Sequence, residues 1–348
     1  MISIYSLLIA AVFCVFLTLI LNYIFIKNQL LLDQVNTSKH KQLTSYQTSN
    51  KTTLCGGIII FICSILFFDN ELIEIKILSF LILIVGILSD INKLNSPKFR
   101  ILCQLVIVLL LLIFNNDLII NDLRINFINN FLQIKFISIL FTIFCILILI
   151  NGTNFLDGIN TLVIGYYILV LGIVIVTSNQ FDLYYNQNIF YLIIFLITVF
   201  LFNFFNKIYL GDAGSYLVSF LAAFFILDFF SRNDFISPYF LCLLLWYPAY
   251  ENLFSILRRF FLKKKLDKAD QNHLHQMIYR IYRNNKFFSK KYINTLSGIS
   301  INLFNFLIFI FSYEYYLLTK SLVMIIFCNI FIYLLLYFFI KKKLNHLN

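Results

Sequence analysis

Long runs of apolar residues, separated by short polar breaks, dominate this chain. A helix rises about 1.5 Å per residue, so crossing a hydrocarbon core of about 30 Å takes roughly 20 apolar residues. Runs of about that size lie near residues 2–26, 54–68, 72–88, 99–114, 136–150, 159–177, 188–206, 214–230, 236–257, 292–313 and 320–340. The pattern predicts an all-α, polytopic integral membrane protein with about eleven transmembrane helices, in a single membrane-embedded domain over 1–348. A membrane barrel does not fit, because barrel strands alternate in polarity whereas these runs are continuously apolar.

Composition agrees. Hydrophobic residues make up 61% of the 348 residues and charged ones only 12%, against about 45–50% and about 25% in soluble domains. That excludes a soluble enzyme. With 42 Phe and 21 Tyr but 3 Pro and 10 Gly, disorder and collagen-like structure are excluded as well. The seven cysteines are widely spaced without a C-x-x-C pair and read as small buried hydrophobes. The first run is too long for a signal-peptide core, has no basic residue before it and lacks a small-x-small cleavage site, so it is expected to remain as a span.

Lysine and arginine orient the spans. With the N-terminus outside, the cytoplasmic loops fall near 27–53, 89–98, 151–158, 207–213 and 258–291, with a tail from Lys341. Of the 27 basic residues, 22 then lie on that side and five (Lys76, Arg124, Lys135, Arg232, Lys320) lie opposite. This asymmetry places the N-terminus outside and the C-terminus in the cytoplasm. Anionic membrane lipids account for most of the net charge of +11, and no nucleic-acid partner is needed.

A carboxylate within an apolar segment costs about 2.5–3.5 kcal/mol on insertion scales, so each is a functional hypothesis. Asp90, Asp157, Asp212 and Glu251 lie in or at the cytoplasmic ends of helices, whereas the outer-loop carboxylates read as solvated surface. Asn151, Asn154, Asp157 and Asn160 recur at three-residue steps, a spacing that on a helix lines one face and predicts a watery or ligand-filled cavity. Gly211-Asp212-Ala213-Gly214-Ser215 opens a span after Lys207. Its glycines allow close backbone approach, its helix-start N–H groups favour phosphate, and its carboxylate suits Mg²⁺. The loop 258–291 carries Arg258, Arg259 and further lysines before His273-Leu274-His275. Two histidines two positions apart diverge on a helix and converge only from a turn or extended segment. Without a Cys or a third His beside them, phosphate binding is the better role than zinc.

Taken in order, these segments resemble the polyprenyl-phosphate N-acetylhexosamine-1-phosphate transferases, bacterial membrane enzymes of the glycosyltransferase family 4 type. The resemblance runs from Asp33 to Arg280 and rests on five segments. These are His40 with Cys55-Gly56-Gly57, Ser89-Asp90, Asn151 through Gly158, Gly211 to Ser215, and Pro248, Glu251, Arg258-Arg259 with His273-Leu274-His275. It implies a Mg²⁺-dependent phosphoglycosyl transfer, with Mn²⁺ as a substitute ion. The phosphate of undecaprenyl phosphate attacks the sugar-bound phosphorus of a UDP-sugar and UMP leaves, a first membrane step of cell-surface polysaccharide or O-antigen synthesis at the bacterial inner membrane. By the same resemblance Asp90 and Asp212 hold the metal and act catalytically with His273 and His275. Asn151, Asn154, Asp157, Asn160, Lys98, Arg258 and Arg259 then bind substrate.

Three positions depart from the family pattern. Ser89 replaces the first of two aspartates, Asn160 a second Asp-Gly, and Gln276 a further histidine. Ser89 removes one negative charge from the expected metal environment. The peptidoglycan lipid I synthase is the alternative within the same chemistry, and its longer histidine run is absent from His273-Leu274-His275-Gln276. An inactive lipid-binding homologue and a transporter are the readings from other classes. A transporter would carry its polar residues at the midplane of several spans, whereas here they gather at one side. A homodimer is compatible with this reading.

Overall fold

The computed structural model describes residues 3–33, 52–263, 272–285 and 289–345; His40 and, in the last loop, Lys264, Lys265 and Lys268 lie outside them. Fourteen α-helices succeed one another among the described residues. They are α1 (Ile4–Lys27), α2 (Gly56–Phe67), α3 (Ile73–Asp90), α4 (Pro97–Phe114), α5 (Asn126–Leu132), α6 (Lys135–Leu156), α7 (Leu162–Phe181), α8 (Asn188–Phe204), α9 (Gly211–Ser231), α10 (Pro238–Leu244), α11 (Trp246–Phe261), α12 (Leu274–Asn284), α13 (Ile293–Ser312) and α14 (Thr319–Asn345). No strand occurs among these residues, only two isolated bridges, Leu32 with Thr53 and Thr53 with Ile208.

Each apolar run of the sequence is helical, because in lipid a backbone must satisfy its own N–H and C=O groups. Helices α1, α3, α4, α6, α7, α9, α13 and α14 are long and apolar enough to cross a membrane, while α2 and α8 are shorter apolar helices. The expected continuous span over 236–257 is instead α10 and α11, set at 74° to each other. Pro248 explains the break. Lacking an N–H, it cannot bond the carbonyl of Leu244 four residues back. That carbonyl accepts the Tyr166 hydroxyl at 2.6 Å instead.

Helix α9 is the axis of the bundle: 94% of its apolar window is buried inside the protein, against 17% for α1 and 22% for α14, whose apolar faces are exposed. Lipid tails are as apolar as leucine, so helices in a membrane associate by close packing rather than by hydrophobic exclusion. Gly86 of α3 shows how close that packing is. A Cβ placed there would lie 2.3 Å from the Ala213 Cα, so only glycine lets α3 meet the first turn of α9. The chain leading into α9 is also tied to the start of α2, since Tyr209 N–H donates to Thr53 O at 2.8 Å and Gly56 N–H to Tyr209 O at 3.1 Å. These contacts fix where the start of α9 stands relative to the end of α3.

Candidate active site

Asp90 is the last residue of α3, and its carboxylate turns toward the start of α9. Its Oδ1 accepts the N–H of Asp212 at 2.9 Å and its Oδ2 the N–H of Ala213 at 3.1 Å. The first N–H groups of a helix have no intrahelical partner and carry its positive end, so a carboxylate there is stabilised by both effects. The expectation that these amides would receive a substrate phosphate is corrected by this geometry: the anion at the N-terminus of α9 is Asp90 itself. Gly211 makes the contact feasible. Its φ is +68°, and a Cβ there would lie 2.7 Å from the Asp90 Oδ2.

With its backbone held by Asp90, Asp212 presents its side chain to Ser89 and Arg100. The Ser89 hydroxyl donates to Asp212 Oδ2 at 2.5 Å, and Arg100 Nη1 donates to the same oxygen at 3.1 Å and to Ser89 Oγ at 2.7 Å. Asp212 and Arg100 keep 22% and 23% of their side-chain surface exposed, so the pair stays within reach of solvent or ligand. Arg100 stands in the first turn of α4, whose start is set by Ser96-Pro97, proline being favoured at the first helical position. Lys98, one residue into the same helix, is exposed.

The end of α6 meets this cluster from the other side. Asn154 Nδ2 donates to the Tyr216 hydroxyl at 3.3 Å, and its Oδ1 accepts from Ser215 Oγ at 3.2 Å. Ser215 is also bound to the carbonyl of Asp212 at 3.1 Å. The three-residue spacing does not carry a single face as far as Asn160, because α6 ends at Leu156 and Asp157 is its cap. Asn151 on α6 donates to Gln104 Oε1 of α4 at 2.9 Å. Asn160, beyond the turn, donates to Asn203 O at 3.1 Å and Asn206 Oδ1 at 2.6 Å. The amides of Asn151 and Asn160 thus tie helices together, while Asn154 touches the Asp212 turn.

The histidines converge as an extended segment should make them. His273 has φ −73° and ψ 145° before α12 begins, His275 lies in the first turn, and the two rings stack with centroids 5.4 Å apart. Phe155, the neighbour of Asn154 on α6, stacks on His273 at 5.8 Å. Residues Asn154 and Phe155 therefore join the two clusters, one touching the Asp212 turn and the other the imidazoles. His273 Nδ1 lies 3.0 Å from Glu251 Oε1, and Arg258 Nη1 donates to Asn272 O at 2.7 Å, holding the residue before His273. Arg259 is nearly buried.

Arg100 and Tyr216 are contacts that the sequence motifs did not nominate. Arg100 has the only local signal, a second basic residue two positions after Lys98 in the first turn of α4. Among the described residues no group of three or more His, Cys, Asp or Glu forms a metal cage. Mg²⁺ does not require one, since it often takes one or two carboxylates and completes its shell with water and substrate phosphates. Ser89 and Arg100 both bond Asp212 through Oδ2, and a carboxylate accepts through both of its oxygens, so Asp212 fits an ion shared with a substrate rather than one caged by protein.

Residues 72–230, which include Ser89, Asp90, Arg100, Asn154 and the Gly211–Ser215 turn, match the family described as Glycosyl transferase family 4. A protein of Bacillus subtilis (strain 168) named as a probable undecaprenyl-phosphate N-acetylglucosaminyl 1-phosphate transferase is 22% identical over 233 residues, 64% of this chain and 64% of its own length. The match therefore spans a little under two thirds of that relative. The segment that carries the acidic turn and its partners, residues 72–230, is thus what this chain shares with glycosyl transferase family 4.

Proposed function

We propose that this protein transfers a sugar 1-phosphate, an N-acetylhexosamine 1-phosphate, from a UDP-sugar to undecaprenyl phosphate and releases UMP. The observation that carries this reading is the meeting of an Arg-paired Asp212 and a pair of stacked histidines at the end of one helix, α6, contributed by segments more than fifty residues apart. Phosphoryl transfer asks a protein for positioning and for neutralisation of charge rather than for covalent chemistry. An oxygen of the lipid phosphate forms the new bond to the sugar-bound phosphorus, and the bond from that phosphorus to the bridging oxygen of UMP breaks. The lipid phosphate is already ionised near neutral pH, so no side chain has to remove a proton from it.

Asp212 and Asp90 are the residues that would hold Mg²⁺, which when bound would neutralise charge on the diphosphate. Arg100 stands against Asp212 and can turn one of its remaining N–H groups to a phosphate oxygen, with His273, His275, Lys98, Arg258 and Arg259 as further cationic or donor groups. Asn154 and Asp157 border the same end of the bundle and suit the nucleotide. The excess of Lys and Arg in the loops on that side supports a cytoplasmic placement, where a soluble nucleotide sugar and a membrane lipid can both arrive. The test is direct. Membranes containing the protein, Mg²⁺, undecaprenyl phosphate and a panel of UDP-sugars should release UMP and form a lipid-linked product with at least one sugar. Asp212→Asn should abolish this, and undiminished turnover in Asp212→Asn would overturn the assignment.

A further inference from the structure

Glu251, on α11, has no exposed surface. A buried charge is tolerated only when it is paired and fully hydrogen-bonded. Its Oε1 lies 3.0 Å from His273 Nδ1 and accepts the Leu274 N–H at 3.1 Å, and its Oε2 accepts the Tyr333 hydroxyl of α14. The Leu274 amide is one of the unpaired donors at the start of α12, so the same carboxylate caps that helix. Stacking on Phe155 and His275, at 5.8 and 5.4 Å, fixes the plane of the His273 ring. Glu251 fixes its rotation within that plane. The backbone entering the segment is pinned by Arg258, which bonds the Asn272 carbonyl at 2.7 Å and the Tyr337 hydroxyl at 2.9 Å.

A carboxylate at one imidazole nitrogen determines which nitrogen keeps the proton and which faces the ligand. We infer that Glu251, itself held by Tyr333, is a positioning residue for His273: it keeps the proton on Nδ1, so His273 meets its ligand through Nε2. Helix α14 thereby belongs to the support of the site. The consequence for turnover rests on the transferase reading above; the tautomer does not.

The experiment uses the full-length protein in detergent or nanodiscs, labelled with ¹⁵N-histidine. Only four histidines are present, and the signal of His273 is identified by its loss in His273→Gln. In the unsubstituted protein Nδ1 should carry the proton. In Glu251→Leu that preference should disappear, and kcat for sugar-phosphate transfer should fall by about 10–100-fold, the size seen when a carboxylate behind a metal-bound histidine is removed, with KM for the UDP-sugar little changed. Glu251→Asp should recover part of the rate. Tyr333→Phe keeps the ring and removes only its hydroxyl, and it should lower kcat by a smaller factor. It decides the matter should Glu251→Leu fail to fold. An unprotonated Nδ1 in the unsubstituted protein would overturn the inference. So would a Tyr333→Phe protein with unchanged kcat, or a Glu251→Leu spectrum like the original. Absence of transfer with every UDP-sugar would defeat the transferase reading alone, while the spectra would still decide the tautomer.

Discussion

Replacing Asp90 by Asn separates two roles for this carboxylate, metal ligand and helix cap. In the structure the two oxygens of Asp90 accept the N–H groups of Asp212 and Ala213 at 2.9 and 3.1 Å, and no metal is needed for either bond. Asn keeps one acceptor but turns an NH₂ toward the second amide, so one bond becomes a clash of donors. Losing a hydrogen bond to a charged acceptor costs about 1.5–3 kcal/mol. Removing the negative charge from a helix N-terminus costs about 0.3–1 kcal/mol, and up to about 2 kcal/mol when partly buried. Both figures describe the same contacts and overlap, so a loss of about 2–3 kcal/mol is expected. At about 2–4 °C per kcal/mol in domains of 150–250 residues, the thermal transition of the detergent-purified protein should fall by several degrees. The measurement is made in excess EDTA, where a residue acting only as a metal ligand has nothing to lose. An Asp90→Asn protein that melts with the unsubstituted one in EDTA, yet diverges when Mg²⁺ is added, would refute the cap.

Ser89→Asp would set a second carboxylate where a hydroxyl now lies 2.5 Å from Asp212 Oδ2. Two unit charges about 3 Å apart repel by about 5 kcal/mol at an effective dielectric constant of about 20. Arg100 and the partial exposure of Asp212 reduce that figure. The variant should therefore be less stable in EDTA and gain more from Mg²⁺ than the unsubstituted protein in thermal unfolding; equal responses to Mg²⁺ would count against the proposed ion position. Gly86→Ala places a Cβ 2.3 Å from the Ala213 Cα. The backbones of α3 and α9 must then part, at about 1–3 kcal/mol for an overpacked contact, and melting temperature and transfer rate should fall together. A Gly86→Ala protein with the original melting point would mean that the two helices are not packed as described.

The membrane class, the placement of nearly every helix and the residue types at the site follow from local sequence. Apolar runs of sufficient length must be helical in lipid, and a carboxylate beside such a run stands out because lipid should have excluded it. The apolar run over 236–257 suggests one continuous span, and the structure corrects this with the break between α10 and α11 that the missing N–H of Pro248 explains.

Which polar group meets which was decided by the tertiary structure. The amides of Asp212 and Ala213 looked available to a phosphate until α3 brought Asp90 from more than a hundred residues earlier to fill them. Glu251 is partnered by His273, 22 residues on, and by Tyr333, 82 residues on, and nothing in the stretch around Glu251 names either. Apolar helix surfaces are much alike in sequence, and the contacts that select their neighbours are close approaches of small residues such as Gly86, which leave no periodic pattern. Hydrogen bonds and charge pairs act through space over about 3 Å. They therefore depend on which helix ends are packed together, a property of the assembled bundle rather than of any one segment.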